Sequence, residues 1–576
     1  MSSIASRVGV AESQRRANRL GLAVVVVGLV NLVSAFSPWV DRHVEMMDRV
    51  LTPGVTDLAS GAAATLGVAL VLLGRGLAHR RRVAYWTAVV TLGGSTAAQL
   101  LQGSDRRIVM VSLLVLTLLV VNRRLFIVAA DRRRARSVAF AVPAVLGAIF
   151  AYGLAGLALE RQGIQPGLTL GRGIAEIAAR LVGRSGPLRL PTDYVWLPVS
   201  ITVLGAIGAL ALVVYILAPS RDHAWVHADE RARVRELVDR PDGDTLDPFA
   251  LRTDKRYVFS ADGNAAVAYR YVNGVGLASG DPVGDLAAFD DALTRYLSRC
   301  ERRGWRPAIL GARAELLPMY EAHGLRAHYL GDEAVIEVGT FGLDGRRMRP
   351  VRQACQRITN AGYTTEIQRE GDLDESLRAE LRAIADRARQ GAPERGFSMA
   401  LDGLLSGRDR DCVVVITRDA SGTPVAFQRY VPCRAGRGLS LDAMRRERGG
   451  PNGVNERMIA DLVTWAAAEG DIEEVSLNFA FFRAFLDESA CLSGFQSVEA
   501  WFVKRANPYF QIESLLRFNA KFHPTWQPRY LVYRSVGELA SVGLAALSAE
   551  SFLPFDRRPE IAGPDMARPE VAQPAA

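Results

Sequence analysis

The pattern of apolar positions changes character near residue 219. Before it, apolar residues run in long unbroken stretches. After it, they recur at strand or helix spacing between charged positions. Six of the early stretches have the length a helix needs to cross a bilayer, roughly 20 residues. They are 20–40, 59–78, 83–101, 108–121 with an extension towards Ala129, 138–159 and 196–218. The first is longer than the apolar part of a secretion signal, and Pro38-Trp39 stand where small residues would mark cleavage. Basic loops set the orientation. Arg7, Arg15, Arg16 and Arg19 precede the first stretch, Arg80, Arg81 and Arg82 follow the second, and Arg123, Arg124, Arg132, Arg133, Arg134 and Arg136 follow the fourth. Both termini are therefore expected on the cytoplasmic side of a multi-pass plasma-membrane protein. Loop 160–195 is longer, and its stretch 170–183 reads as an amphipathic helix lying on the outer face.

Past this region, 219–245 reads as a charged linker and 541–576 as a disordered Ala/Pro/Arg tail. Strands and helices alternate between them. The first block, 246–344, gives strands at 256–261, 265–272 and 275–279, a helix at 286–303, a strand at 308–311, a helix at 314–323, and two strands near 327–330 and 334–337. The second, 345–540, gives helix 345–361, strand 363–368, helix 374–389, strands 412–418, 424–431 and 438–442, a helix from Pro451 to about Glu469, strand 474–478, helix 511–518 and strand 530–533. Gly304, Gly362 and Gly470 end three of these helices. Periodicity alone supports an α/β or α+β class. The order of elements in each block resembles a GCN5-related acyltransferase, so the expected architecture is a six-span membrane domain at 20–218 behind a basic tail, then an α+β region of two such folds in tandem.

The 576 residues carry 70 Lys and Arg against 61 Asp and Glu, a net charge of +9. Only Lys255, Lys504 and Lys521 among these cations are lysines. The excess favours anionic partners such as lipid headgroups or nucleic acid. The five cysteines all follow residue 219 and form no CxxC, which argues against a disulfide framework and a cysteine metal site. The membrane stretches hold no Asp, Glu, Lys, Arg or His in their cores, which counts against proton-coupled transport.

No HExxH, P-loop or dinucleotide signature is present. The nearest match to an acyl-CoA pyrophosphate loop, Arg446-Glu-Arg-Gly449-Gly-Pro451, fails at its last position. Five other stretches are informative: Gly396-Phe-Ser-Met-Ala400, Leu439-Ser-Leu-Asp-Ala-Met-Arg445, Pro451-Asn-Gly-Val-Asn-Glu456, Val475-Ser-Leu-Asn-Phe-Ala480, and Leu515 through Tyr530. In this order, behind a multi-spanning region, they resemble the phosphatidylglycerol lysyltransferase family, the multiple peptide resistance factors and their actinobacterial relatives. The resemblance covers residues 245–535; the membrane half resembles the family only in type.

That resemblance implies an aminoacyltransferase that needs no cofactor. Its co-substrate is aminoacyl-tRNA, and its acceptor is a glycerol hydroxyl of phosphatidylglycerol, or of another anionic or neutral glycerolipid, on the cytoplasmic face. Lysyl is the default group, and its transfer lowers the negative charge of the membrane surface. Asp442 and Arg445 match the family's Asp-x-x-Arg. Asp442 is expected to hold the aminoacyl α-ammonium and Arg445 to orient the ester or a phosphate. Glu456 and Lys521 complete the expected catalytic set. Asn455, Asn478, Arg483, Arg517, Asn519 and Arg529 form the expected substrate-binding set, with Asn478 donating to the reacting carbonyl. Most have a plainer alternative: an i,i+3 ion pair for Asp442 and Arg445, a helix N-terminal acid for Glu456, a turn residue for Asn478, a solvated basic edge with core aromatics for Arg517, Lys521 and Arg529. The helix carrying Arg346, Arg347, Arg349, Arg352 and Arg357 is a candidate for RNA backbone or anionic headgroups. Competing functions are a membrane-tethered acyl-CoA-dependent N-acyltransferase and a lipid flippase or scaffold with an inactive soluble part.

Overall fold

A computed structural model describes residues 16–30, 68–126 apart from 75, 79, 81 and 102–105, 132–159, 164–181, 186–190, 196–217, 228–481 apart from 393 and 395, and 512–552. The chain divides into two compact units, Met1–Arg221 with Cys300–Trp305, and Asp222–Arg299 with Arg306–Ala576.

The described part of the first unit is almost wholly helical. Helices Arg82–Leu101, Arg106–Val121, Arg132–Leu159 and Trp196–Leu217 coincide with four of the six expected stretches. The fourth stretch ends at Val121, without the extension towards Ala129: a turn and a short 3-10 helix, Arg123–Leu125, follow it. Residues 16–30 and 68–74 are also helical, and Gly21 lets their backbones meet, since a Cβ there would stand 2.5 Å from the Gly74 carbonyl oxygen. Among the described residues one segment, Phe140–Leu159, is long and apolar enough to cross a membrane; Val109–Val121 is a shorter apolar helix. Large apolar side chains such as Val90, Met110, Leu114, Val121 and Phe140 point outward. The amphipathic helix expected at 170–183 is Leu170–Leu181. It does not lie alone on a surface: Ile177 is buried with Leu157, Leu197 and Ile201 of the two long helices beside it. Its Glu176 is buried as well, bonded by Arg180 at 2.8 Å and the Leu188 N–H at 2.9 Å.

The second unit is built on one twelve-stranded sheet. Its strands are β1 (Arg256–Phe259), β2 (Ala265–Val272), β3 (Val275–Ser279), β4 (Val283–Gly284), β5 (Arg306–Arg313), β6 (Arg326–Glu337), β7 (Thr364–Arg369), β8 (Val413–Arg418), β9 (Pro424–Cys433), β10 (Gly438–Arg446), β11 (Glu474–Phe481) and β12 (Thr525–Tyr533). The helices are α1 (Ala228–Val238), α2 (Phe289–Arg303), α3 (Leu317–Ala322), α4 (Arg349–Asn360), α5 (Glu375–Arg389), α6 (Val454–Glu469), α7 (Ile512–Ala520) and α8 (Leu539–Ala549). Spatial order is β1-β2-β3-β5-β12-β6-β11-β10-β9-β8-β7, with β4 beside β2. Each half runs antiparallel up to one parallel pair, β3 with β5 and β10 with β11. This is the acyltransferase-like order expected from the sequence.

The halves are woven rather than joined end to end. β12, the last strand of the second half, lies between β5 and β6 of the first, and β6 lies between β12 and β11. This exchange explains why β6 is one continuous strand, where the sequence suggested two. Gly331, Asp332 and Glu333 resemble a turn, yet they pair with Arg529, Pro528 and Gln527 on one side and with Phe481, Ala480 and Phe479 on the other. The start of the expected tail is helical, and residues 553–576 lie outside the described residues. α8 packs on β2, β3 and β5 through Val542, Ala545, Ala546 and Ala549, small side chains that allow close approach to the sheet. The expected linker contributes α1, whose Val234 and Val238 join the core of the first half.

A buried arginine staples the exchange. Arg529 of β12 donates to Asp244 at 2.7 and 2.8 Å and from Nε to Glu333 of β6 at 2.9 Å; Ser476 of β11 and Thr245 also donate to Glu333. Arg529 and Glu333 have no solvent exposure. Breaking such a network by removing one partner costs about 3–5 kcal/mol, because the other charges remain buried. Burial works to raise the Asp244 carboxyl, but Arg529 overrides it and holds it at about 2. For Asp247, burial and then the neighbouring Asp244 push the carboxyl up to about 8.

Two outcomes follow. A chain truncated after Ala520 lacks β12 and is expected to lose the ordered core of both halves; a protease-resistant fragment spanning β1 to β6 in that variant would contradict the woven sheet. Asp247 binds a proton in the folded state that an unfolded carboxyl, near 4, releases. Its contribution to stability is therefore complete below about pH 4 and is lost as pH rises through about 8. Asp247→Asn removes that loss, so between about pH 5 and pH 8 thermal melting of the wild type is expected to fall relative to the variant.

Candidate active site

β10 and β11 pair at Gly438–Glu474, Leu439–Val475 and Ser440–Ser476, then part. The side chains just beyond the split are Asp442 and Asn478. On a regular strand Asp442 and Arg445, an odd number apart, would face opposite sides. A bulge between Leu441 and Ala443 resets the alternation. Leu441 and Met444 then pack with the core under α4 and α6, while Asp442 turns to the other face and bonds Arg429. Arg445 is half-buried, in register with Phe427 of the core under α5, and donates to the Met444 carbonyl at 2.9 Å. The Asp-x-x-Arg spacing is thus a bulge motif rather than a surface ion pair.

Asp442 is not open. Its Oδ2 accepts from Arg429 Nη1 at 2.6 Å and its Oδ1 from the Leu401 N–H at 2.6 Å, and the side chain is 2% exposed. Leu401 closes the stretch Gly396–Ala400, which four further anchors hold over the split. Lys255 donates to the Phe397 carbonyl at 2.8 Å with its ammonium over the Phe397 ring, Glu550 accepts from the Phe397 and Ser398 N–H groups at 2.8 and 3.0 Å, Arg252 donates to the Ala400 carbonyl at 2.9 Å, and Asn478 reaches the Met399 carbonyl at 3.3 Å. Burial drives the Lys255 ammonium well below the ordinary lysine value, against the pull of Asp254.

Asn478 takes a left-handed backbone, φ 64°, at a register shift in β11. Its amide nitrogen donates to two carbonyls, Met399 and Leu441, which fixes the orientation of the group. The donor expected for the reacting carbonyl is therefore occupied. What Asn478 offers is Oδ1, buried and without a hydrogen-bond partner among the described residues.

A second cluster lies on the α4–α6 side of the sheet. Gly453 opens α6 at φ 119°, where a Cβ would crowd Ala354 of α4 at 3.1 Å. Glu456, in the first turn of α6, accepts from Lys521 at 2.8 Å, and Lys521 lies 5.4 Å from the Phe518 ring centre. Asn455 Oδ1 is buried without a partner among the described residues; Asn519 is buried on α7, and Arg517 stands exposed on that helix. Arg483 lies outside the described residues. Arg529, expected to bind substrate, is instead consumed by the staple of β12. Among the described residues no group of His, Cys, Asp and Glu is arranged to hold a metal ion.

Sequence reasoning missed Arg429, Glu370 and Lys255. Arg429 is one arginine among many, and its isolation inside a strand of otherwise apolar and amide neighbours, Phe427 to Val431, was the available signal.

The five arginines near α4 divide. Arg352 donates to the Leu343 and Gly345 carbonyls and Arg357 to the Asn452 carbonyl at 2.8 Å. Arg346, Arg347 and Arg349 are exposed, and His523 of the α7–β12 turn stands 3.5 Å from the Arg347 carbonyl.

Compared with known proteins, residues 235–533, just over half of the chain, match the family model described as phosphatidylglycerol lysyltransferase, C-terminal. Lysylphosphatidylglycerol biosynthesis bifunctional protein LysX of Gordonia bronchialis is 38% identical over 366 residues, 62% of this chain and 32% of that protein. LysX of Mycobacterium sp. (strain JLS) is 34% identical over 567 residues, 93% of this chain and 50% of that protein. The chain thus spans a third to a half of these relatives' length. The solved structure of L-PGS from Bacillus licheniformis shares the fold of the second unit, with a TM-score of 0.50 at 21% identity, covering 57% of this chain and 98% of that one.

The division among the arginines has a measurable consequence. Arg352→Gln and Arg357→Gln each remove bonds to loop carbonyls and are expected to lower the melting temperature, by about 1 kcal/mol of stability per lost bond. The triple change of Arg346, Arg347 and Arg349 to Gln is expected to leave it unchanged. Equal melting losses from both sets would contradict the assignment.

Proposed function

The chain belongs to the phosphatidylglycerol lysyltransferase family, and on that premise we propose that it moves an aminoacyl group, lysyl by default, from aminoacyl-tRNA to a glycerol hydroxyl of phosphatidylglycerol at the cytoplasmic membrane face. The observation that carries the reading is the polar site at the split of β10 and β11, where Asp442 and Asn478 both bond the 399–401 stretch, in the half of the fold that bears the family's motifs, with Arg445 further along β10.

Aminoacyl-tRNA is an activated ester, so the transfer needs positioning and charge stabilisation rather than a fresh input of energy. The lipid hydroxyl oxygen attacks the ester carbonyl, a new ester bond forms, the bond to the ribose oxygen breaks, and the hydroxyl proton ends on that oxygen. A carboxylate oxygen accepts more than one hydrogen bond. Asp442 and Asn478 Oδ1, which has no hydrogen-bond partner among the described residues, thus form an acceptor pair for the α-ammonium. Arg445, on the same face, serves the ester or a phosphate with its guanidinium fork. Glu456 and Lys521 form a second charged pair that can exchange partners with substrate, with Asn455, Asn519 and Arg517 beside it.

Arg346, Arg347 and Arg349 suit the phosphates of the RNA donor. Outward aliphatic side chains on the helices of the first unit suit contact with lipid, and the arginine-rich loops favour six crossings with both termini in the cytoplasm.

Mass spectrometry of lipids from a host expressing the chain tests this reading. A new aminoacyl-phosphatidylglycerol mass is expected with the wild type, falling at least about 100-fold with Asp442→Asn. A lipid profile identical to that of the empty host, with the chain present in the membrane, would refute the transfer.

A further inference from the structure

Arg429 stands in the middle of β9 with its side chain sealed from solvent, and three acids from three separate segments surround it. Its Nε donates to Glu370 at 2.7 Å, its Nη1 to Asp442 at 2.6 Å, and its Nη2 faces Asp409 at 3.7 Å. Glu370 belongs to the turn after β7, Asp409 to the loop before β8, Asp442 to the bulge of β10.

Each acid is held again from behind. The Gly407 N–H donates to Glu370 at 2.9 Å; Arg235 of α1 donates to Asp409 at 3.1 Å, with Arg231 at 3.8 Å; the Leu401 N–H donates to Asp442 at 2.6 Å. The result is a continuous run of charge from the partly exposed Arg235, through Asp409 and Arg429, to Asp442 inside the split. Burial works against the Arg429 charge, yet Asp442 and Glu370 together hold its proton more tightly than in an ordinary arginine.

We infer that Arg429 is a positioning residue for the transfer: it fixes the plane of the Asp442 carboxyl, and Asp409 with α1 fixes Arg429. The inference rests on the role given to Asp442 above. Arg429 on Oδ2 and the Leu401 N–H on Oδ1 pin both oxygens, so the carboxyl cannot rotate about its terminal bond. A guanidinium does this and also holds Glu370 because its donors are splayed and rigid; an ammonium is a point charge that serves one acid well. Nothing in the geometry brings Arg429 to substrate.

The test is kinetic, on the full chain in lipid vesicles with lysyl-tRNA as donor. Arg429→Lys keeps the buried charge. It is expected to lower kcat about 10- to 100-fold, the cost of a small misplacement of a reacting group, with KM for the donor little changed. In an Asp442→Asn background the same change is expected to cost nothing further, because Arg429 acts through Asp442. Asp409→Asn, at the margin of the cluster, is expected to give a smaller loss that vanishes in the same background, and it serves if Arg429→Lys does not fold. A folded Arg429→Lys with wild-type kcat overturns the inference, as do losses that multiply with that of Asp442→Asn, which would mark a merely structural role. Wild-type chain that makes no aminoacyl lipid overturns the proposed function and this inference with it; active wild type beside an undiminished variant overturns the inference alone.

Discussion

A guanidinium at the centre of a sheet must bring its counter-charges with it. Arg529 meets that constraint with Asp244 and Glu333, and in doing so decides where β12 can lie. Buried in the sheet without these two acids, the arginine would cost a large part of a domain's net stability. The exchange of β6 and β12 follows, and with it a single sheet in place of two separate ones. The half that bears the candidate site inherits its rigidity from this arrangement, because β11, which carries Asn478, is braced along one edge by β6 from the other half.

Arg429 repeats the logic on the other side of the split. There the counter-charges come from loops as well as strands, so the pairing fixes loop conformation and not only strand position. Gly396–Ala400 is the clearest case. Lys255, Glu550, Arg252 and Asn478 grip its backbone, and Asp442 takes the N–H that follows. The conformation of this stretch and the orientation of Asp442 are therefore one variable. Any substrate that needs the carboxyl turned must also move the loop.

Much of this was legible in the sequence and some was not, for physical reasons. Helices with an apolar stripe and a glycine stop, such as α2 and α6, were read nearly to their ends, because local pattern determines them. Asp442 was located by its motif, but the bulge that puts it on the same face as Arg445 depends on pairing with β9, which local pattern does not encode. β6 looked like two strands because Gly331-Asp332 has turn chemistry; pairing on both sides overrides it. α8 was hidden because the Ala, Pro and Arg content of 541–576 taken as one segment masks a short apolar stretch at its start, whose small side chains let a helix lie close on a sheet. Arg529 was assigned to substrate because basic residues among aromatics read as a binding surface, whereas burial reverses the meaning of a charge. Arg429 passed unnoticed for the same reason.

The order in which the strands are made differs from the order in which they lie. Arg529 bonds the Gly311 carbonyl across 218 positions of chain. During synthesis the first acyltransferase-like half emerges long before the strand that fills its centre, and until then β5 and β6 each present an unpaired edge. Closure over so long a loop is slow, and open edges invite association with other chains. A nascent chain of this kind has reason to be shielded, as a chaperone would shield it, until its final strand arrives.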